Sequence, residues 1–487
     1  MACQQQESIG GAQGVMHTYK QGTGHDGART CGRACVPTPV MRGTSTAVSA
    51  APTTTTCSTR GSLPPLSRTD KMTAIECDTV GLDGLIPTYF ATRKNKRGSS
   101  DSVEFELHWQ RNLLRLADSI NNRTLQPAAY SFVVSRPRPR EVFACDFGMR
   151  IVHYYIDIRL RPLIERRLTK RTYNNRRGMG LGAAINQLAE DIYCKSCGFT
   201  KDAWCITWDL QGYFPNAVQD IVFSQFSDII RKDYNDQDAD TLLYLVERSI
   251  FSYPTEHCDI RSTPEQRRLI PAEKSLFSKP PGIGGAIGHL IWQSAMNLYI
   301  SSIDKWLQEE CGLLHVRYVD DNHVVTDNKR AFLSYIFPEL RRRYAEYGCQ
   351  MHPRKFYCQH YTKGVKFCGT VVKMQRMYVG RKVADNFRAC VTRMNRRVSL
   401  RAVNSLLASV NSYLGICKTR NGHHIAMTTI GKLSPKWYRY VHLDQRRMCL
   451  VANDGYTQNE RLQKKYKLRL KKRKHEKRRE DRRAQAS

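Results

Sequence analysis

The chain lacks any long apolar run. No window in its 487 residues approaches the roughly 18 consecutive apolar residues that a bilayer-spanning helix needs, which excludes that class. The opening MACQQQESIGGAQG lacks the charged-then-apolar order of a secretory signal. Without one, the 17 cysteines read as reduced thiols of a cytoplasmic protein rather than as a disulfide framework. Internal repeats are missing. So is a second Cys-x-x-Cys: Cys194 and Cys197 have metal-ligand spacing but stand alone, and Cys31 and Cys35 lie in a low-complexity stretch. With His423 and His424 adding only a surface pair, no zinc site is expected.

Acidic residues are scarce beside basic ones. Asp plus Glu number 44 against 77 Lys plus Arg, a net charge of +33. Such an excess calls for a polyanionic partner, bound with a salt-sensitive electrostatic component. An anionic membrane surface would answer the same charge. The basic residues, however, are spread along the chain and interleaved with aromatics instead of lining one amphipathic helix, which favours nucleic acid.

Residues 1–71 contain TSTAVSAAPTTTTCSTRGSLPPLSRTD, with too few large apolar residues to offset chain entropy, so a disordered leader is expected. In a competing reading Met72 is the true start. Residues 72–103 read as a linker around TRKNKRGSSDS. A helix is expected to open the folded part in EFELHWQRNLLRLADSI, from Glu104. Up to about residue 450, helical patterns alternate with β-rich runs such as WCITWDL, HVRYVDDNHVV and GVKFCGTVV, an α+β pattern. The end, 451–487, is a basic tail suited to gripping phosphates.

HVRYVDDNHVV places Asp320 and Asp321 inside an apolar, β-branched run. Paired acids there need neutralising, by a divalent metal or by a basic partner such as nearby Arg317. A strand alternates its faces, so the two acids point opposite ways or sit on a tight hairpin. A further acid from another strand would complete a metal site, and Asp209, closing WCITWDL ahead of Gly212, Tyr213 and Phe214, is the candidate. Carboxylates at strand ends holding two Mg²⁺ ions about 4 Å apart are the arrangement that nucleotidyl transfer needs.

The series DLQGYF, IGHLIWQSAMNLY, YVDD, HPRK and GVKFCG resembles the palm motifs of reverse transcriptases in their usual order. More narrowly, KSLFSKPPGIGGAIGHLIWQSAMNLYISSID and QHYTKGVKFCGTVVKMQRMYV resemble the bacterial and phage enzymes of diversity-generating retroelements, within the group II intron and retron-like superfamily. The resemblance spans roughly residues 104–425. It implies a right-hand polymerase: fingers and an antiparallel palm over 104–385, and a helical thumb over 386–450.

By the same resemblance, Asp209, Asp320 and Asp321 are catalytic metal ligands for two Mg²⁺ ions, with the Leu210 carbonyl an extra ligand. Phe214 excludes a ribose 2′-hydroxyl. Ile287, Gly288, Gln293 and Tyr318 line the nucleotide and template site, and Asn297 and Tyr299 also agree with the pattern. His289, Ile291 and Trp292 depart from it, with Trp292 setting a large ring beside the template where the family has a small serine. An apolar residue at 287 fits error-prone copying. Arg140, in RPRPREVFACDFGMRIVHYYI, would grip the triphosphate. Arg150 and His153 match the following helix, with Met149 where Asp is common. Arg176 and Arg177, in YNNRRGMG, would contact phosphate or template, with Met179 replacing a frequent Lys. Lys355 would protonate pyrophosphate, and Gly364, Lys366 and Gly369 would support the primer end, glycine letting two backbones approach closely.

The implied function is RNA-directed DNA synthesis from dNTPs, serving a retroelement together with a small basic helical-bundle accessory variability protein. The partners are an RNA template and a DNA primer, with no membrane. Rival readings are a defence-associated or group II intron-like reverse transcriptase and a catalytically silent RNA-binding scaffold. The roughly 60 residues beyond the stretch of resemblance, after about residue 425, are too few for added maturase and nuclease domains. Like charges crowded in a dead site would have no reason to persist, which argues against the scaffold. GIGGAIG (282–288) heads no βαβ unit, so it is not a dinucleotide-binding loop.

Overall fold

The computed structural model describes residues 79–94, 99–135, 138–256 and 258–453. The expected leader lies outside them, as does the basic tail beyond residue 453. Part of the expected linker is a helix, α1 (Leu82–Arg93). Its sequence contains Gly84 and Pro87 and no clear apolar stripe. Tertiary packing supplies what local pattern lacks: Leu85 and Tyr89 are buried, and the Tyr89 ring stacks on Trp109 with centroids 5.4 Å apart. The helix expected from Glu104 is two helices, α2 (Ser100–Leu107) and α3 (Trp109–Asn121), broken at His108.

Strands β1 (Ala129–Val134) and β2 (Arg140–Cys145) pair antiparallel. The long, largely buried α4 (Phe147–Arg167) and then α5 (Leu181–Lys195) lead to β3 (Trp204–Gln211). After α6 (Gln219–Asp233) and α7 (Ala239–Ile250), β4 (Cys258–Ile260) joins β1 in parallel. The short α8 (Pro264–Arg267) precedes α9 (Leu290–Tyr299) and α10 (Ser301–Lys305). Next come β5 (Leu314–Tyr318), β6 (Asp321–Thr326), α11 (Lys329–Ala331), α12 (Phe337–Glu346), β7 (Gln350–Met351) and β8 (Tyr357–His360).

The central sheet runs β5-β6-β3-β7, and β8 also pairs with β3. All of its pairings are antiparallel. β3 is apolar on both faces because both are covered. Ile206, Trp208 and Leu210 enter the main core with α4, α6, α7 and α9. Cys205, on the other face, joins Val316 and Val325 beneath α5. That second face is also covered by a small antiparallel sheet of β9 (Val365–Phe367), β10 (Thr370–Lys373) and β11 (Arg376–Val379).

The segment expected to form a helical thumb holds α13 (Arg381–Asn395), which begins slightly earlier, α14 (Val403–Lys418) and α15 (His423–Ile430). It is not wholly helical. Its core, centred on Phe387, Leu406, Leu414 and Trp437, also takes in the hairpin β12 (Val441–Asp444) and β13 (Cys449–Ala452). The first residues of the expected tail therefore belong to a strand. Among the described residues no helix is long and apolar enough to cross a membrane.

Candidate active site

HVRYVDDNHVV is a hairpin, not one strand. Tyr318 and Asp321 are Cα partners, leaving Val319 and Asp320 as a two-residue turn. Asp321 begins β6 directly opposite Asp209 on β3. By strand alternation both carboxylates leave on the face shared with Cys205 and Val325. Asp320 is tied to the same place through its backbone. Its carbonyl accepts from the Leu210 N–H (3.2 Å) and from Asn322 Nδ2 (2.9 Å). In a strand a residue's N–H and C=O leave by the same edge, so the Leu210 carbonyl is aimed at the hairpin as well.

Crowding and burial change these acids. The Asp320 carboxyl is pushed up to about 7, first by burial and then by the charges of Asp321 and Asp209. Asp321 is raised by burial and by Asp209, with relief from the Cys368 thiol, Lys355 and Arg138. Lys355 Nζ lies 2.5 Å from Asp209 Oδ2, and Cys368 Sγ donates to Asp321 Oδ2 at 3.5 Å. Cys368 and Gly369 both have positive φ, as a type I′ turn requires, and link β9 to β10. Among the described residues, the side-chain donors on Asp209 and Asp321 thus come from one lysine and one hairpin tip.

Arg317 takes no part in that neutralisation. It is fully buried with Asp304, Nη2 to Oδ2 at 2.6 Å, and also donates to the carbonyl of Asn297 at 2.7 Å. Among the described residues no three His, Cys, Asp or Glu side chains form a closed metal-ligand set. Asp209, Asp320 and Asp321 are hard oxygen donors of the kind Mg²⁺ takes, and the raised acids show a local shortage of positive charge. In donor chemistry the cluster fits a divalent ion, with Lys355 standing where charge would be added.

No family model matches the chain, and no curated protein does. Solved structures similar to it include three of telomerase. Apo telomerase from Candida tropicalis truncated from its C-terminal domain shares 12% identity over 52% of this chain and 55% of that one, TM-score 0.36. Telomerase from Candida albicans with a TWJ fragment of telomeric RNA shares 10% over 63% and 60%, TM-score 0.37. Apo telomerase from Candida tropicalis shares 11% over 63% and 61%, TM-score 0.37. The chain spans less than two thirds of each of these proteins. At such TM-scores a common architecture is not established.

The remaining expected site residues divide. Phe214 is half-buried beside the cluster's strand, its carbonyl accepting from Gly285 N at 2.8 Å. Tyr213 is buried, with its hydroxyl on the Met296 carbonyl. Gly288 has φ +118 and presses on β2, where an added Cβ would lie 2.3 Å from the Phe143 carbonyl oxygen. The Ile287 carbonyl accepts from Phe143 N. Gln293 is the exposed position on an otherwise mostly buried α9. Tyr318 is half-buried, and Lys366 and Gly369 are exposed, whereas Gly364 is buried with φ +79. GIGGAIG is a loop that hydrogen-bonds the 214–217 turn, not a strand-to-helix phosphate loop.

Three expectations need correction. Trp292 is not beside an open template path: it is 2% exposed and lies over Gly285, whose missing side chain makes room for the ring. Arg176 folds back onto the carbonyls of Thr169 and Thr172 (2.7 and 3.1 Å), so it braces its own turn. Arg150 is engaged by Tyr130 and Asp101. Arg177 and Arg140 are exposed. His153 packs against His289, and burial holds both well below the usual imidazole range, so the pair is neutral. Arg138, which the sequence did not single out, is the arginine near β2 whose charge reaches Asp321. RPRPR sets three arginines at alternate positions, 136, 138 and 140, and nothing in the string ranks them.

Proposed function

We propose that this chain is a reverse transcriptase, extending a primer with dNTPs on an RNA template with two Mg²⁺ ions, and that it makes error-prone cDNA for a diversity-generating retroelement. The observation that carries the reading is the gathering of Asp209, Asp320 and Asp321 from two strands and a turn at one end of the central sheet. Burying like charges together is unfavourable without a compensating cation. Asp209, Asp320, Asp321 and the Leu210 carbonyl would hold the ions, which would supply Lewis-acid activation of the primer 3′-hydroxyl and charge neutralisation at the triphosphate.

The chain's own residues would supply the rest. Lys355, beside Asp209, is a cation positioned to give a proton to departing pyrophosphate. Phe214, half-exposed two residues beyond the turn glycine, would meet the sugar with its ring. Arg138, in the bend before β2, and Arg140, its first residue, could offer guanidinium groups to phosphate. The tail and the net charge of +33 would add affinity for nucleic acid without sequence preference. The accessory helical-bundle protein belongs to the narrower reading.

Primer extension on an RNA template with Mg²⁺ and four dNTPs, sequencing the product, tests this. Extension by the wild type with at least a 10³-fold loss in Asp320→Asn is expected, with errors concentrated at template adenines. Faithful copying would remove the retroelement assignment and keep the polymerase. No extension, with cognate RNA and the basic partner supplied, would refute both.

A further inference from the structure

We propose that Asn174 is a positioning residue for Asp320: its side-chain oxygen holds the Val319 peptide in the left-handed conformation that sets the hairpin's acid opposite Asp209. The catalytic consequence rests on the polymerase reading; the structural one does not.

Val319 has φ +60, whereas Asp320 is not among the positive-φ residues. Positive φ at the first of two turn residues alone is the II′ pattern, where glycine is favoured. A β-branched residue there is disfavoured by its own Cβ and persists only when its surroundings over-determine it. The surroundings are specific. The segment 171–174 meets the outer edge of β5 at one parallel bridge, Thr172 to Arg317. Arg317 N donates to the Arg171 carbonyl and Tyr173 N to the Arg317 carbonyl, both at 3.0 Å. Where that backbone pairing ends, the Asn174 side chain continues it, its Oδ1 accepting from Val319 N at 3.0 Å.

Asn174 is itself locked. It is 8% exposed, and its carbonyl accepts from Asn297 Nδ2 at 2.8 Å. The Asn297 carbonyl in turn accepts from Arg317 Nη2, which is paired with Asp304. On the other side of the turn, Asp320 bonds through its carbonyl to Leu210 N, next to Asp209. Rotation of the Val319 peptide would therefore displace Asp320 against β3. The Asn174 amide stops that rotation.

The test measures two quantities on the full chain: Mn²⁺ affinity by electron paramagnetic resonance, and hydrogen exchange of the peptide containing Val319. Asn174→Ala is expected to lower Val319 protection at least tenfold and raise the Mn²⁺ dissociation constant at least fivefold. In a Val319→Gly background, where the turn no longer needs holding, the same substitution is expected to change Mn²⁺ affinity less than twofold. Unchanged protection in Asn174→Ala, or equal affinity losses in both backgrounds, would overturn the proposal. If Asn174→Ala does not fold, Asn174→Gln, which moves the amide by one methylene, reads the same quantities. A wild type that binds no Mn²⁺ would refute the metal reading, and exchange alone would then decide the role of Asn174.

Discussion

Replacing Arg317 with Met removes one half of an ion pair in which neither side chain has any exposed surface. The guanidinium gives Asp304 contacts of 3.0 and 2.8 Å from Nε and 2.6 Å from Nη2. After the change, Asp304 keeps only the Thr172 hydroxyl at 3.2 Å and His315 Nδ1 at 3.8 Å. Burial holds His315 down at about 4, so it is neutral at pH 7 and cannot replace the lost cation. Leaving one member of a buried pair uncompensated costs about 3–5 kcal/mol. Removing both members, in Arg317→Met with Asp304→Leu, should recover most of that cost, to within about 1–2 kcal/mol of wild type. Equilibrium urea unfolding followed by tryptophan fluorescence gives all three values. A single-variant loss under about 1 kcal/mol, or a double variant as weak as the sum of the singles, would refute the reasoning. It would also return Arg317 to the role of counter-ion for the hairpin acids.

Asp320→Asn should stabilise the metal-free protein. The carboxyl rises from 3.8 to about 7, about three pK units or about 4 kcal/mol, and its partly exposed rim leaves about half of that. Because the folded-state value lies above the unfolded one, the wild type is fully penalised above pH 7 and relieved as pH falls towards 4. The gain of about 2 kcal/mol at pH 8 in EDTA should therefore shrink by more than half at pH 5; a gain independent of pH would exclude this cause. Gly288→Ala, forced to φ +118 and 2.3 Å from a backbone oxygen, should cost about 3 kcal/mol in thermal unfolding. Trp292→Ala should cost about 3–5 kcal/mol as a core truncation and, on the polymerase reading, leave template-base preference unchanged in the folded fraction; a change in preference at full stability would put the ring back at the template. Phe214→Val, on the polymerase reading, should relax discrimination against ribonucleotides by about 10–100-fold in single-nucleotide incorporation.

Much of the site could be read from residues close together in sequence. β-rich runs bounded by turn residues became β3, β5, β6, β9 and β10, and the alternative of a tight hairpin for Asp320 and Asp321 is the one observed. The three acids meet because Asp209 and Asp321 fall in register. What was missed has a common cause. Helix α1 has no readable stripe and is held by Tyr89 on Trp109. Trp292 looked like a large ring at an open site because nothing in its neighbours shows that Gly285 vacates the space beneath it. Arg176 looked free because its acceptors are backbone carbonyls, which have no signature in the residue string.

Periodicity and turn chemistry act between neighbours a few residues apart, so strand runs, turn glycines and the positions of the acids were already set by the order of residues. Charge pairing is different. With 77 basic side chains available, nothing local says that Arg317 answers Asp304 rather than the adjacent Asp320, that Lys355 comes to Asp209, or that Asn174 reaches Val319 across 145 residues. Those choices depend on which surfaces the folded chain brings within about 3 Å, where a hydrogen bond or ion pair acquires its energy.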